Sequence, residues 1–417
     1  MSNKQLSSHI GTEDPGGEVA GQELRAGPRT RQRSSRWSGR RQRDAWLLLA
    51  VLLLGIVTIV ALGNGSAQPS GQARVELPGT PPASGTLAQS TTPSATRATG
   101  DFREYLLPQS NSEVMRPAID HEGRLWFGEM GRNFLAVFDP QTQTFRQMTP
   151  PGGRFGVMSV QVAPDDTIWF AEEYANYIGH YFPTTGRYQL YQLPMLTVPD
   201  PAHAGKTLSL PSAPNELALD AHGTVWFTEF NADMLGRLDP QTGRMQHYLL
   251  SAKRSVQTLD PYGVTVDQKG MVWFTESSND HIGRLDPRTG RIRFFTPPGP
   301  ITSLMEIASD GRGIIWATSF SVGLVLSLDP HTGTFTRYYA PSTGSGVGGV
   351  YGLVVTPNGE IWVTVLADNV IARLDPAAHR FLPYAIPTAG SMPLGLVMGA
   401  NHTFWFTEVD KIGMFRP

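Results

Sequence analysis

From residue 101 to the end of the chain, one pattern of apolar and polar positions repeats seven times. Each repeat has an apolar segment, a short turn, a segment centred on tryptophan and a third apolar segment. The central tryptophans are Trp126, Trp169, Trp226, Trp273, Trp316, Trp362 and Trp405. Repeats of roughly 45 residues, rich in β-branched and aromatic residues with Gly and Pro turns, are typical of β-propellers. The sequence therefore predicts an all-β fold, a seven-bladed β-propeller of four-stranded blades.

Each repeat is long enough for four strands and three turns. In the fourth repeat the predicted strands are residues 262–266, 272–276, 281–285 and 291–295. The chain ends after the third strand of the seventh repeat, and a segment similar to the outer strands, residues 102–108, lies before the first repeat. We therefore predict that this N-terminal strand completes the last blade, which closes the ring and removes two exposed sheet edges.

The first hundred residues differ from the repeats in composition. Residues 45–62 carry no charge, and as a helix rising about 1.5 Å per residue they would span about 27 Å, close to the apolar thickness of a bilayer. Eight arginines lie between Arg25 and Arg43, and positive residues favour the cytoplasmic side of a span. Residues 63–100 are rich in Ser, Thr, Pro, Ala and Gly, too polar and small to bury a core.

These features predict four regions. They are an Arg-rich cytoplasmic tail at 1–44, a transmembrane signal anchor at 45–62, a disordered Ser/Thr/Pro/Gly-rich tether at 63–100 and the propeller at 101–417. The prediction is a single-pass plasma membrane protein with a cytoplasmic N-terminus and an extracytoplasmic propeller. The alternative is a cleaved signal peptide that ends near residues 65–67.

Composition excludes several classes of function. The chain has 34 Lys and Arg against 36 Asp and Glu, so it lacks the basic excess typical of a nucleic-acid-binding protein. It has no cysteine, which excludes disulfides, thiolate nucleophiles and cysteine-ligated metals. We expect a monomer whose partner is a small molecule, peptide or glycan.

Ligands of closed rings usually bind at a channel mouth, where loops of several blades converge. The positions eleven before each tryptophan begin the inner strands: Met115, Met158, Asn215, Tyr262, Met305, Tyr351 and Leu394. The next position holds Arg116, Glu216 and Glu306 in three repeats and Gly in three others. Residues that break the repeat are candidates for function, so the predicted ligand-binding residues are Arg116, Glu216, Tyr262, Glu306, Tyr351 and Leu394. The alternative for the ring positions is that they fill the channel.

A second set of candidates lies three residues after each tryptophan. Five repeats have a glutamate there: Glu129, Glu172, Glu229, Glu276 and Glu408. Carboxylates that converged at one mouth could bind a divalent cation. The alternative is that a residue recurring in most repeats has a structural role within each blade.

The repeated Trp-Phe-Thr-Glu and Ile-Gly-Arg-Leu segments, preceded by Pro-Tyr-Gly-Val at 261–264 or Pro-Leu-Gly-Leu at 393–396, resemble the virginiamycin B lyase (streptogramin lyase) family. The resemblance covers residues 101–417 and implies a seven-bladed propeller. It further implies a Mg²⁺-dependent carbon–oxygen lyase that opens a cyclic depsipeptide by elimination, with a histidine as general base. By this resemblance Glu408 corresponds to a catalytic glutamate.

The family's other functional positions carry different residues in this chain. Tyr351 and Leu394 stand where the family has histidines, and Met392 stands where it has a glutamate. Leucine and methionine accept no proton, and tyrosine with a pKa of about 10 is a poor base. The sequence therefore favours a module that binds a small amphipathic molecule, peptide or glycan at the channel mouth. The alternatives are a metal-dependent lyase or hydrolase opening an ester or lactone, and a protein-interaction scaffold.

Overall fold

The computed structural model describes residues 22–25, 98–152, 156–199, 203, 205–250, 260–299, 303–340 and 349–417, and of residues 22–25 the backbone alone. The predicted anchor at 45–62 and nearly all of the predicted tether lie outside the described residues, so both stay predictions. Within the described part of the chain, no helix has the length and apolar character needed to cross a bilayer.

The predicted seven-bladed, all-β propeller is confirmed, and each blade is an antiparallel sheet of four strands around a central channel. The strands of each blade are given from the innermost outward. Blade 1 contains Ala118–Ile119, Leu125–Glu129, Phe134–Asp139 and Thr144–Met148. Blade 2 contains Val157–Val162, Ile168–Glu172, Tyr177–Phe182 and Arg187–Gln192, and blade 3 contains Pro214–Leu219, Val225–Glu229, Met234–Leu238 and Met245–Leu249. Blade 4 contains Pro261–Val266, Val272–Glu276, His281–Asp286 and Arg291–Phe295. Blade 5 contains Leu304–Ser309, Ile315–Ser319, Leu324–Asp329 and Thr334–Tyr339, and blade 6 contains Val350–Val355, Ile361–Val365, Val370–Asp375 and Arg380–Ala385. Blade 7 contains Leu396–Met398, Phe404–Thr407, Lys411–Arg416 and, as its outer strand, Asp101–Leu106.

Ring closure by the N-terminal strand is also confirmed. Asp101–Leu106 pairs antiparallel with Lys411–Arg416, so the two ends of the described propeller share one blade. The Lys411 ammonium lies 2.9 Å from a Glu104 carboxylate oxygen and donates to the Thr388 hydroxyl at 2.9 Å. The closure therefore combines a complete strand ladder with a partly buried ion pair.

Two segments lie outside the four-stranded blades. The long connection between blades 2 and 3 forms a hairpin of Met195–Pro199 and Thr207–Pro211. The backbone of Gln22–Arg25 pairs antiparallel with the outer strand of blade 2. That pairing places the backbone of residues 22–25 beside blade 2, whereas the predicted cytoplasmic tail would lie across the membrane from the propeller.

The core lies between the blades. Each repeat tryptophan is at most 6 % exposed, and the tryptophan of one blade packs against the first strands of the next, as Trp126 does against Val160 and Phe170. Four indole N–H groups donate to an aspartate six residues earlier, as in Trp273 to Asp267 at 2.8 Å. The same aspartates accept backbone N–H groups of the preceding turn, so one side chain fixes both the turn and the core tryptophan.

A threonine two residues after the repeat tryptophan connects neighbouring blades. The Thr318 hydroxyl accepts the Glu306 N–H of its own blade at 3.1 Å and donates to the Tyr351 carbonyl of the next blade at 2.9 Å. Thr228, Thr275 and Thr364 make the same pair of contacts in their blades. This repeated residue therefore holds the inner strands side by side around the channel.

We expect Thr318→Val to lower the free energy of unfolding by about 1–3 kcal/mol, because it leaves a buried backbone N–H and a buried carbonyl without partners. The measurement is the thermal or denaturant midpoint. Thr318→Ser, which keeps the hydroxyl, is the matched control and should lie closer to the parent protein. Equal midpoints for the valine and serine variants would contradict this role of the hydroxyl.

Candidate ligand-binding site

The ring positions at the start of the inner strands fill the channel. Six of the seven pack into one apolar cluster with Met130 and Phe320, which follow second strands at the same mouth. None of the seven is more than 7 % exposed. Among the predicted ligand-binding residues, Tyr262, Tyr351 and Leu394 therefore lie within a closed layer of side chains, which we call the apolar layer.

A polar layer lies directly beneath the apolar layer, at the next position of each inner strand. Its members are Arg116, Ser159, Glu216, Gly263, Glu306, Gly352 and Gly395. Arg116 Nε donates to a Glu306 carboxylate oxygen at 2.7 Å and lies 3.6 Å from Glu216 Oε1. Arg116 Nη1 donates to Asn215 Oδ1 at 3.2 Å. The structure thus brings together three of the predicted ligand-binding residues, which come from blades 1, 3 and 5.

The two layers contact each other through aromatic rings. The Arg116 guanidinium carbon lies 4.7 Å from the centre of the Tyr262 ring and 6.0 Å from that of Tyr351. The two tyrosine hydroxyls lie 2.6 Å apart. The guanidinium is therefore held by carboxylates, an amide oxygen and aromatic faces, an arrangement suited to arginine rather than lysine.

Glycines in the polar layer allow neighbouring blades to approach closely. A Cβ on Gly352 would lie 2.4 Å from the Leu394 carbonyl oxygen, and a Cβ on Gly395 would lie 2.5 Å from Pro117 Cδ. Neither distance is compatible with a side chain at these two positions, so the close contact between these inner strands requires glycine.

A cavity of about 460 Å³ begins at the polar layer and is lined by Arg116, Glu216 and Glu306. Its walls reach the last residues of the inner strands, including Ile119, Val162 and Val355. The described channel is therefore open at the ends of the inner strands and filled at their starts. The sequence predicts a ligand at the opposite mouth, because strand direction indicates where loops converge but not which end of the channel the side chains fill.

Burial shifts the pKa of one carboxyl in the polar layer. Burial, with the neighbouring Glu306 carboxyl as the second cause, raises the pKa of Glu216 well above its ordinary range. Arg116 opposes this effect without cancelling it. The Arg116 guanidinium therefore lies between two buried carboxyl groups, at 2.7 Å from Glu306 and 3.6 Å from Glu216.

The five repeated glutamates do not form a shared site. Four of them end the second strand of their own blade, and Glu408 directly follows the second strand of blade 7. All five are at most 1 % exposed, and four of the five contact residues of the third or fourth strand of the same blade. Glu129 accepts from Gln147 at 2.6 Å, Glu229 lies 2.6 Å from His247 Nδ1, and Glu276 lies 3.0 Å from His281 Nδ1. Among the described residues, no three His, Asp or Glu side chains stand close enough to hold a metal ion, so this donor set does not fit a magnesium centre.

Glu408, the predicted catalytic residue, is likewise 1 % exposed and lies 3.4 Å from the Lys411 ammonium. Burial and the nearby Glu104 raise its pKa to about 7. Its contacts belong to the ring closure of blade 7.

Two further acidic residues near the filled mouth, Glu113 and Glu173, are not among the site residues that the sequence predicts. Burial raises the pKa of Glu113 to about 7, with Asp410 adding to the effect. Burial also raises the pKa of Glu173 to about 7, although Arg116 opposes the rise. The sequence feature that could have identified them is that both residues lie outside the repeated Trp-Phe-Thr-Glu pattern.

The sequence profile of the virginiamycin B lyase family matches residues 255–416. A streptogramin B lyase structure is 25 % identical, with a TM-score of 0.65, covering 76 % of this chain and 97 % of that one. A catalytically inactive virginiamycin B lyase from Staphylococcus aureus with quinupristin is 23 % identical, with a TM-score of 0.65, covering 76 % and 99 %.

A more distant similarity is to the extracellular domain of a protein described as a hybrid two component system from B. thetaiotaomicron. It is 14 % identical, with a TM-score of 0.59, covering 76 % of this chain and 40 % of that one. Among curated proteins the comparison found no significant match. The resemblance to the virginiamycin B lyase family that the sequence predicts is therefore confirmed, through the sequence of residues 255–416 and through the fold of the whole propeller.

Proposed function

We propose that this chain is an extracytoplasmic ligand-binding propeller that holds a small amphipathic molecule in the cavity of its channel. The observation that carries the proposal is the pairing of a charged floor with partly exposed apolar residues in the walls. Arg116, Glu216 and Glu306 form the floor, and Leu353, Val354 and Val397 are among the apolar wall residues. Small-molecule sites typically combine a few placed polar groups with such a lining.

Family-type elimination has no base at the matching positions. Leu394 accepts no proton, and burial raises the pKa of Tyr351 well above its ordinary value, so its hydroxyl stays protonated. Both residues are buried in the apolar layer, at 7 % and 2 % exposure. A histidine-dependent lyase mechanism therefore has no support in these residues, which favours binding.

Binding can be tested with N-phenyl-1-naphthylamine, a neutral amphipathic molecule whose fluorescence rises in apolar surroundings. We expect saturable enhancement with the full-length chain, measured against protein-free samples of the same detergent. Val355→Trp, at the open end of the cavity, should abolish it, whereas Val322→Trp, at an exposed site outside the cavity, should not. Equal enhancement in both variants would refute binding in the cavity.

A second candidate is a lyase or hydrolase that opens an ester or lactone. It is favoured by the Glu173 carboxyl at the filled mouth, because its pKa of about 7 suits a general base at neutral pH. Quinupristin is the substrate to test, with ring opening followed by chromatography. If the protein opens quinupristin, and if Glu173→Gln abolishes this turnover while Glu122→Gln preserves it, the enzyme function would replace the binding function.

The membrane topology is open to direct labelling, because the chain has no native cysteine. We expect a membrane-impermeant maleimide to label Ser84→Cys on intact cells and Ser8→Cys only after lysis. This result follows from an uncleaved anchor at 45–62 with the Arg-rich tail inside. Labelling of both variants on intact cells would instead mean that the tail and the propeller lie on the same side of the membrane.

A further inference from the structure

We propose that the hairpin between blades 2 and 3 is a docking site for a partner protein, which adds an extended segment as a third strand beside Thr207–Pro211. The hairpin lies at the filled mouth, because it connects the end of one outer strand to the start of the next inner strand. This surface is separate from the cavity, which is open at the other end of the channel. The inference therefore goes beyond the proposed function.

Exposed apolar side chains are confined to the filled mouth. Each of the nine large hydrophobic residues exposed in the described part of the chain lies in the hairpin, in a turn between a second and a third strand, or in the last two residues of an outer strand. They are Leu106, Tyr174, Met195, Leu208, Leu210, Leu249, Phe294, Val322 and Tyr339. Five of the nine belong to the hairpin or to blades 2 and 3 beside it. Apolar surface concentrated in this way marks an interaction site.

The strand Thr207–Pro211 has an open edge. It belongs to a sheet of two strands and pairs with Met195–Pro199 on one side. Residues 207–210 are all exposed, and among the described residues their backbone groups have no hydrogen-bond partner outside the hairpin. The open edge of a strand presents N–H and carbonyl groups with which an extended peptide can pair.

The hairpin differs in charge from the outer edges of the blades. Charged side chains on an edge strand discourage pairing with another chain. The outer strand of every blade contains an arginine or a histidine: Arg103, Arg146, Arg187, His247, Arg291, Arg337 and Arg380. Neither strand of the hairpin contains a charged residue. The hairpin therefore lacks the protection that the blade edges carry.

The side chains of the hairpin define the chemistry of the incoming strand. Leu208 and Leu210 are two residues apart and therefore lie on the same face of their strand, at 40 % and 38 % exposure. Leu196 pairs with Leu210 and is buried on this face. A third strand would place every second side chain beside the exposed leucines. We therefore expect the partner segment to be uncharged, with apolar residues at alternate positions.

The test measures the fluorescence anisotropy of a fluorescein-labelled peptide, Thr-Val-Thr-Val-Thr-Val-Thr, with the full-length chain in detergent. We expect saturable binding. Two N-methylated forms, one methylated at the valines and one at the threonines, separate strand pairing from apolar contact, because each lacks one set of alternate backbone donors. Only one set faces the neighbouring strand in a sheet, so one form should bind at least about tenfold more weakly than the other.

Two variants locate the binding. Leu208→Lys places a charge on the apolar face of the hairpin and should weaken the binding of the unmethylated peptide at least about tenfold. Val322→Lys is the matched control, because it introduces the same charge at an exposed turn of blade 5. We expect the control to bind the peptide as the parent chain does.

The absence of saturable binding, equal affinities of the two methylated forms, or an unchanged affinity in Leu208→Lys would overturn the proposal. A dimer of the full-length chain that Leu208→Lys converts to a monomer, measured by sedimentation velocity, would also overturn it, because a second copy would then occupy the edge. The methylated peptides are compared on the parent chain alone. The proposal can therefore be refuted even if Leu208→Lys does not fold.

Discussion

Replacing Arg116 by methionine is expected to lower the free energy of unfolding by about 3–5 kcal/mol, because it leaves a carboxylate buried without its charge partner. Arg116 Nε binds Glu306 at 2.7 Å, and both residues are at most 9 % exposed. The variant also loses the contact of the guanidinium with the Tyr262 ring. The thermal midpoint should fall by on the order of 5–10 °C.

A second substitution separates the electrostatic effect of losing Arg116 from the loss of its packing contacts. Arg116→Met with Glu306→Gln also removes the carboxylate that has lost its 2.7 Å partner, so we expect the double variant to be more stable than Arg116→Met alone. If the unpaired carboxylate were unimportant, adding Glu306→Gln would destabilise the protein further. Such an outcome would mean that the loss of the Arg116–Glu306 ion pair is not what destabilises Arg116→Met.

The blade architecture was predictable because it depends on short-range patterns. Tryptophan spacing gave the number of blades, and Asp-Pro and Gly turns marked the strand ends. The inner strand predicted at 262–266 is observed as Pro261–Val266, and the closing strand predicted at 102–108 is observed as Asp101–Leu106. Each of these signals is a pattern in the sequence itself and does not depend on how the side chains of different blades pack together.

The site was only partly predictable because it depends on contacts between distant repeats. Arg116 and Glu306 are recognisable as breaks in the repeat, but their 2.7 Å contact spans 190 residues. The periodic glutamates present the opposite case. Their spacing suggested convergence, whereas a side chain such as Glu229 contacts His247 within its own blade. Residue spacing fixes the strand position and leaves the direction of the side chain undetermined.

Glu172 illustrates why a repeated buried carboxyl affects stability. Neither of its carboxyl oxygens has a hydrogen-bond partner among the described residues. Burial, with the neighbouring Glu173 as the second cause, raises the pKa of Glu172 from 4.5 to about 8. The folded state therefore holds this proton more tightly than the unfolded state, and folding is favoured where the carboxyl is neutral.

We therefore expect Glu172→Gln to stabilise the protein at high pH and to have little effect at low pH. Below pH 4.5 both states carry the proton, and the contribution of the neutral carboxyl is fully present. As pH rises from 4.5 through about 8, the parent chain loses that stability, whereas the glutamine variant does not titrate. At about 1.4 kcal/mol for each pKa unit, the difference reaches an upper limit of about 5 kcal/mol above pH 8.

The measurement is the unfolding midpoint of both chains between pH 5 and pH 9. Glu122→Gln is the matched control, because its carboxylate side chain is 66 % exposed and removing it should give a nearly constant difference across this range. If the difference between the unfolding midpoints of the parent and Glu172→Gln grows as pH rises, ionisation of the buried carboxyl destabilises the folded state. A difference that stays constant or narrows would mean that ionisation of Glu172 does not destabilise the fold, which would contradict the raised pKa of this carboxyl.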